Sequence, residues 1–175
     1  MAKKESTFIN MVMTLLLITG ISSLALSGVF EVTKGPIAKA KKEKKEKAIK
    51  EVIPDFDTIR ETMVMPENGK DSLELITAHK NDIWIGTAVS SYTYQGYSGL
   101  IRVMVGFLPD GSIENIAVLE QKETPGLGTK IKDDKFKHQF IGKDPRVFKL
   151  KVKKDGGDVD AITAATISSR AYCEA

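Results

Sequence analysis

The sequence is poor in the residues that hold metal centres and disulfide frameworks. Its 175 residues include one cysteine, Cys173, and two histidines, His79 and His138. A lone cysteine forms no disulfide within the chain, and it supplies neither an iron–sulfur ligand set nor a Cys-x-x-Cys-His haem attachment. The two histidines lie far apart without metal-ligand spacing, so we expect no metal site. Any redox chemistry would therefore depend on an organic cofactor.

A net excess of positive charge is missing from most of the chain. The formal net charge is +3, yet residues 51–175 contain 16 Lys and Arg against 19 Asp and Glu, a net charge of −3. The positive excess therefore lies in the first 50 residues. Because a nucleic-acid-binding domain needs a basic surface, we expect no nucleic-acid partner.

Charge of either sign is absent from Phe8 to Phe30. As a helix this segment would span roughly 35 Å, enough to cross a bilayer with some tilt. We predict a transmembrane helix over residues 8–30, after a cytoplasmic N-terminus at residues 1–7. A cleaved signal peptide is the alternative, since Ala25-Leu26-Ser27 is a tolerable cleavage site. The apolar region of such a peptide usually runs only about 7–15 residues, which favours retention of the helix.

A lysine-rich stretch follows the apolar segment, from Lys34 to Lys50. Residues 36–52 read as a solvated helix that can contact lipid headgroups. Only Lys3 and Lys4 precede the apolar segment, so the positive-inside rule alone would place the rest of the chain in the cytoplasm. From this change in composition along the chain, we assign a charged linker helix to residues 31–52 and a compact domain to residues 53–175.

The compact domain mixes strand and helix patterns. Runs rich in β-branched and aromatic residues predict strands at 73–77, 83–94, 100–107 and 113–120, which make an antiparallel sheet plausible. Apolar periodicity predicts an amphipathic helix over Lys130 to Phe140, and alternation predicts a further strand over Phe148 to Val152. The expected fold class is α+β, with a single N-terminal transmembrane helix before the domain.

The segment from Asp160 to Ser169 is the most informative part of the chain. It follows a Gly-Gly turn and reads as a helix start, with Asp160 or Thr163 as the N-cap. A helix N-terminus leaves amide N–H groups unpaired and carries partial positive charge, so it can stabilise a phosphate. Ordinary capping is the simpler interpretation of these residues when they are taken alone.

A second motif runs from Glu123 to Gly128, as Glu-Thr-Pro-Gly-Leu-Gly. Pro125 fixes one φ angle, while Gly126 and Gly128 permit turns and a close approach of the backbone to a flat ligand. A plain loop between a strand and a helix is the alternative interpretation. Some 30 residues earlier, Gly96-Tyr97-Ser98-Gly99 precedes the predicted strand at 100–107.

Both motifs resemble those of the FMN-binding domain family. This family includes the G subunit of Rnf electron-transport complexes and the related C subunit of sodium-pumping NADH:quinone oxidoreductase. The family's flavinylation motif, Asp-x-x-Ser/Thr-Gly-Ala-Thr, is similar to this sequence at Asp160, Thr163, Ala165 and Thr166. The sequence differs at Ala164, where the family usually has Gly. If that backbone needs a positive φ, Ala would cost roughly 1–2 kcal/mol.

The resemblance implies a covalent FMN. A flavin transferase would join FMN through its phosphate to the Thr166 oxygen, and the loop from Glu123 to Thr129 would grip the flavin ring. The cofactor-binding residues implied by the two motifs are Thr166, Asp160, Thr163, Ala164, Ala165, Glu123, Thr124, Pro125, Gly126, Leu127 and Gly128. The domain would relay electrons between neighbouring cofactors and would have no catalytic residues of its own.

The resemblance also implies a membrane complex. The short length of the chain favours the G subunit of Rnf, whose parent complex passes electrons between ferredoxin and NAD while moving Na⁺ or H⁺. The partners would be the other subunits of that complex and the flavin transferase. The domain would lie on the extracytoplasmic side of the inner (cytoplasmic) membrane, against the indication of the lysines.

The sequence leaves four alternatives open. The chain could be a membrane-tethered flavoprotein of another extracytoplasmic electron route, or the C subunit of a Na⁺-translocating NADH:quinone oxidoreductase. It could be a non-redox anchored binding module, with or without unattached flavin. The apolar N-terminal helix alone suggests a pilin-like subunit, but the Gly before Phe8 and the Glu four residues after it that pilins show are missing.

Overall fold

The computed structural model describes residues 7–66 and 71–175. One compact unit ends at Glu43, and the second runs from Lys44 to Ala175. The elements are α1 (Phe8–Val52), β1 (Thr58–Val64), β2 (Leu73–Lys80), β3 (Ile83–Gly96), β4 (Gly99–Phe107), β5 (Ile113–Glu120), a 3₁₀ helix (Gly128–Lys132), α2 (Asp134–Lys137), a second 3₁₀ helix (Lys153–Asp155) and α3 (Thr166–Glu174).

The described part of the N-terminal unit is α1 up to Glu43, which contains the apolar stretch and the first residues of the charged stretch after it. An 18-residue window of this helix has a mean hydropathy of 2.0 with no residue buried, so the helix is long and apolar enough to cross a membrane. The Thr14 and Thr19 hydroxyls donate hydrogen bonds to carbonyls one turn earlier, at 2.7 and 2.8 Å. Their polar groups are therefore satisfied inside the helix, which suits a lipid environment.

The second unit is built on a five-stranded antiparallel meander in the order β1-β2-β3-β4-β5. The predicted α+β class and the four predicted strands are confirmed, because β2 to β5 cover them. The sequence patterns did not predict β1. All seven residues of this edge strand are exposed, so no buried face gave it an alternating pattern.

The last turns of α1 cover one face of the sheet. Ile49 and Val52 are buried there with Ala48 and Ile53, against Ile76, Ala78, Ala88, Met104 and Ala117. A Cβ added to Gly106 in β4 would lie 1.6 Å from the Val52 carbonyl oxygen, so only glycine allows this approach. These turns belong to the domain core, and the proposed domain boundary at residue 53 remains a prediction.

The opposite face is covered by α2 and α3. Phe136 and Phe140 pack edge to face at 5.5 Å, and Tyr172 of α3 lies 5.2 and 5.3 Å from these two rings. This aromatic cluster is buried against Ile101, Val103, Ile113 and Ile116 of the sheet. The packing fixes α3, and hence the Thr166 end of that helix, on the domain.

Two predicted elements are wrong. The helix over Lys130 to Phe140 is interrupted at Asp133, whose extended backbone (φ −72°, ψ 140°) separates the first 3₁₀ helix from α2. The strand over Phe148 to Val152 is replaced by a turn in which the Lys151 N–H donates to the Lys149 carbonyl at 2.7 Å. A three-residue turn bends the chain too sharply for a strand, and Val152 makes only an isolated bridge to Val159.

Candidate functional site

One buried carboxylate brings the two motifs together. Glu123 is only 3% exposed, and its Oε1 accepts the Ser98 N–H at 2.9 Å. Its Oε2 accepts the hydroxyl of Ser168, in the first turn of α3. Both carboxylate oxygens are thus satisfied by hydrogen bonds, as a buried charge requires. The β3–β4 turn, the loop after β5 and α3 therefore meet at Glu123.

Gly128 allows the loop to touch α3. A Cβ at this position would lie 2.6 Å from the Ser168 hydroxyl and 2.8 Å from the Glu123 Cβ. Residues 124–127 between the two contacts are exposed, and Gly126 has a positive φ of 75°. The Leu127 N–H donates to the Thr124 carbonyl at 3.2 Å, which closes the loop. The second motif is therefore an exposed loop held tightly at its two ends.

Helix α3 begins at Thr166, which is half-buried. The prediction that Asp160 or Thr163 caps this helix is wrong, because the N-cap is Ala165, which has no side-chain acceptor. The Ser169 N–H donates to the Ala165 carbonyl at 3.0 Å, as the first bond along the helix. The amides of Thr166, Ile167 and Ser168 precede that bond and add to the partial positive charge of the helix start.

Ala164 adopts a left-handed backbone conformation, with φ at 61°. It lies inside a turn that the Ala165 N–H closes by donating to the Ile162 carbonyl at 3.0 Å. Turns with a positive φ at their third residue favour Gly, because a Cβ is crowded there. The conditional cost of roughly 1–2 kcal/mol for Ala therefore applies to this chain.

Two side chains hold Asp160, which precedes the turn before α3. Its carboxylate pairs with Lys153 at 2.8 Å, and its backbone N–H and carbonyl bond the Gln139 side chain at 2.7 and 3.3 Å. Asp160 and Thr163 line a cleft of about 500 Å³ with Phe136 and Gln139 among the other lining residues. The Glu123 motif reaches the first turn of α3 through Ser168, while Asp160 and Thr163 line the cleft together with Lys130, which directly follows the 123–129 loop.

Comparison with known proteins identifies the family. The sequence pattern of the FMN-binding domain matches residues 96–175, which contain both motifs. The G subunit of the ion-translocating oxidoreductase complex of Pasteurella multocida is 34% identical over 90% of this chain and 84% of that protein. The chain belongs to the family of G subunits of ion-translocating oxidoreductase complexes. The predicted resemblance is therefore confirmed.

Other G-subunit relatives support the same membership. The protein of Methanosarcina acetivorans is 30% identical over 98% of this chain and 91% of its own length. The G subunit of the Na⁺-translocating ferredoxin:NAD⁺ oxidoreductase complex of Acetobacterium woodii is 30% identical over 90% of this chain and 82% of its own length.

Among solved structures, NqrC of Shewanella oneidensis has a TM-score of 0.47 at 22% identity, covering 63% of this chain and 61% of that chain.

The sequence patterns missed four polar residues that hold the two motifs in place. Ser168 and Ser169 are 2% and 0% exposed and bind Glu123 and the Ala164 turn, while Gln139 and Lys153 hold Asp160. The two serines directly follow a run of small residues at a helix start, where buried hydroxyls can reach backbone groups. That position is the one signal that pointed to them.

Cys173, in the last turn of α3, has an unreactive thiol. Burial in α3 raises the pKa of its thiol to about 11. Because the thiolate is the reactive form, a thiol with this pKa stays protonated and unreactive at neutral pH. Among the described residues, no group of three or more His, Cys, Asp and Glu side chains can hold a metal ion.

Proposed function

We propose that this chain carries FMN joined covalently to Thr166 and passes electrons as a subunit of a membrane complex. The complex would transfer electrons between ferredoxin and NAD while moving Na⁺ or H⁺ across the membrane. One observation carries the proposal: the Glu123–Ser168 hydrogen bond holds the exposed 124–127 loop beside the helix start that bears Thr166. Membership of the G-subunit relatives in ion-translocating oxidoreductase complexes supports the wider role.

The residues present fit a phosphate-linked flavin. A phosphoester on Thr166 would keep roughly one negative charge, which the amide end of α3 stabilises because no side chain caps it. Leu127 and Ile167 are 41% and 48% exposed, and they offer apolar surface on the loop and on the helix start. When bound, FMN would supply one- and two-electron transfer chemistry. The chain's own residues bind and orient the group.

The proposal includes the location and partners of the chain. The apolar part of α1 would anchor it in the cytoplasmic membrane, with the domain on the extracytoplasmic side. A flavin transferase would attach the FMN there, and other subunits of the Rnf-type complex would exchange electrons with it. Covalent attachment would prevent loss of the cofactor in a compartment where free flavin is scarce.

Intact-mass analysis of the purified full chain tests the covalent link. Coexpressed with a flavin transferase, the wild-type chain should gain the mass of one FMN, and Thr166→Val should abolish the increment because it removes the acceptor oxygen. Ser168→Ala should still carry the increment because the acceptor is intact, but in a smaller fraction of chains because the bond to Glu123 is lost. We also expect Asp160→Ala to lower the modified fraction. An unmodified wild-type chain would contradict the covalent link.

A further inference from the structure

The side chain of Ser169 ties both ends of the turn that precedes Thr166. Its hydroxyl donates to the Ala165 carbonyl at 3.0 Å and accepts the Ile162 N–H at 3.0 Å. Ile162 and Ala165 are also joined directly by the hydrogen bond that closes the turn. Ser169 is 0% exposed, so water does not compete for either of its bonds.

This turn needs support from outside. Ala164 lies within it at φ 61°, a conformation that any residue with a Cβ adopts at a cost. A free segment with this sequence would spend most of its time in other conformations. The two Ser169 bonds oppose that tendency because they form only when Ile162 and Ala165 are held at the spacing that the turn gives them.

We propose that Ser169 is a positioning residue for the modification of Thr166, which rests on the proposed covalent attachment. By holding the 162–165 turn, Ser169 presents the Thr166 hydroxyl at the start of α3 to the transferase. In the transfer, a bond forms between the Thr166 oxygen and the FMN phosphorus of a flavin dinucleotide. The phosphoanhydride bond breaks, the nucleoside monophosphate leaves, and the hydroxyl proton passes to a base of the transferase.

Thr93 provides a matched control for this role. Its buried hydroxyl also donates one hydrogen bond, to Glu174 at 2.8 Å, and accepts one, from the Gln95 N–H at 3.0 Å. Thr93→Val thus removes the same number of bonds and weakens the hold on the other end of α3. Unlike Ser169→Ala, it leaves the turn before Thr166 untouched.

The first test uses the unmodified full chain in detergent. We expect the Ala165 amide, whose bond to the Ile162 carbonyl closes the turn, to exchange with solvent at least about fivefold faster in Ser169→Ala than in the wild type, a change in population of the size that lost hydrogen bonds produce. In Thr93→Val this amide should exchange at the wild-type rate. Equal exchange in wild type and Ser169→Ala would overturn the proposal, because the turn would then hold without Ser169.

The second test measures flavin attachment with purified transferase and its flavin dinucleotide at saturating concentrations of the full chain. We expect kcat to fall at least about fivefold in Ser169→Ala. Thr93→Val should keep the wild-type kcat. Adding Ala164→Gly to Ser169→Ala should restore most of the rate, because Gly adopts the positive φ without the crowding of a Cβ.

The outcomes separate this role from a general effect on stability. An equal fall of kcat in Ser169→Ala and Thr93→Val, or no recovery with Ala164→Gly, would overturn the positioning role. A wild-type chain that is never modified would overturn the proposed function and the role of Ser169 in it. In that case the exchange of the Ala165 amide would still report whether Ser169 holds the turn.

Discussion

At residue scale, Ala164 shows a local conflict next to the proposed acceptor. The chain has Ala where the turn requires a positive φ, and the family usually has Gly at this position. Neighbouring hydrogen bonds from Ser169 and Ala165 hold the turn despite that cost. The conflict lies two residues from Thr166, and strained backbone is often found at functional sites.

Ala164→Gly is expected to stabilise the domain. Removal of the Cβ relieves roughly 1–2 kcal/mol of backbone crowding. The greater freedom of Gly in the unfolded chain lowers the free energy of unfolding and cancels part of this gain. A net gain of about 0.5–1 kcal/mol should raise the melting temperature by about 2–6 °C for a domain of this size. Thermal unfolding followed by circular dichroism measures the change.

Ala161→Gly is the control for this prediction, because Ala161 is not among the positive-φ residues of the described chain. Gly at that position should lower stability by about 0.5–1 kcal/mol, through unfolded-state entropy alone. If both substitutions lowered the melting temperature equally, the positive φ at Ala164 would carry no cost and our account of the turn would be wrong.

At the scale of elements, the strands with buried residues were predictable and the short helical pieces were not. β2 to β5 place alternate residues in a core, and their patterns survive in the sequence because burial selects them. Between Gly128 and Phe140 the apolar side chains Ile131, Phe136 and Phe140 are all buried, but Ile131 lies in the 3₁₀ helix, Phe136 in α2 and Phe140 in the turn after α2. Their spacing therefore suggested one helix where tertiary contacts made two.

The end of α1 is the element whose contribution can be measured directly. A chain that begins at Lys44 keeps the buried residues Ile49, Val52 and Ile53 and should unfold cooperatively on heating. A chain that begins at Pro54 loses them. At about 1.5–3 kcal/mol for each buried side chain, this loss is comparable to the whole stability of about 5–15 kcal/mol. We expect the shorter chain to lack a cooperative transition.

A third chain that begins at Gly35 is the control for this truncation series, since it adds only residues outside the compact unit. Its domain should melt at the same temperature as the chain that begins at Lys44. A cooperative transition at that same temperature in the chain beginning at Pro54 would show that the domain starts at residue 53, as the sequence predicts, and that the helix end contributes little.

At the scale of the whole molecule, the charge distribution disagrees with the extracytoplasmic location that we propose. The lysines after the apolar segment favour a cytoplasmic domain under the positive-inside rule. Two of these lysines bind groups of the domain: Lys44 donates to the Leu119 carbonyl, and Lys45 pairs with Glu61 and Glu74. Because these two positive charges stabilise the domain, they are weaker evidence for its orientation in the membrane.

Site-specific labelling tests the proposed extracytoplasmic location. In a Cys173→Ser background, Val147→Cys places a thiol at a position that is 80% exposed. A membrane-impermeant maleimide should label it in spheroplasts before lysis. A cysteine in place of Ser6, ahead of the apolar segment, should be labelled only after lysis. The reverse pattern would place the domain in the cytoplasm, as the lysines indicate.

The sequence by itself determined the long apolar helix, the strands with buried residues and the identity of the two motifs. These features depend on local composition, periodicity and residue order, which are visible in one dimension. Only the tertiary structure decided that Glu123 meets Ser98 and Ser168 and that Gln139 bonds the backbone of Asp160. Such contacts depend on how distant segments pack, because a buried polar group bonds whichever partner the fold brings within reach.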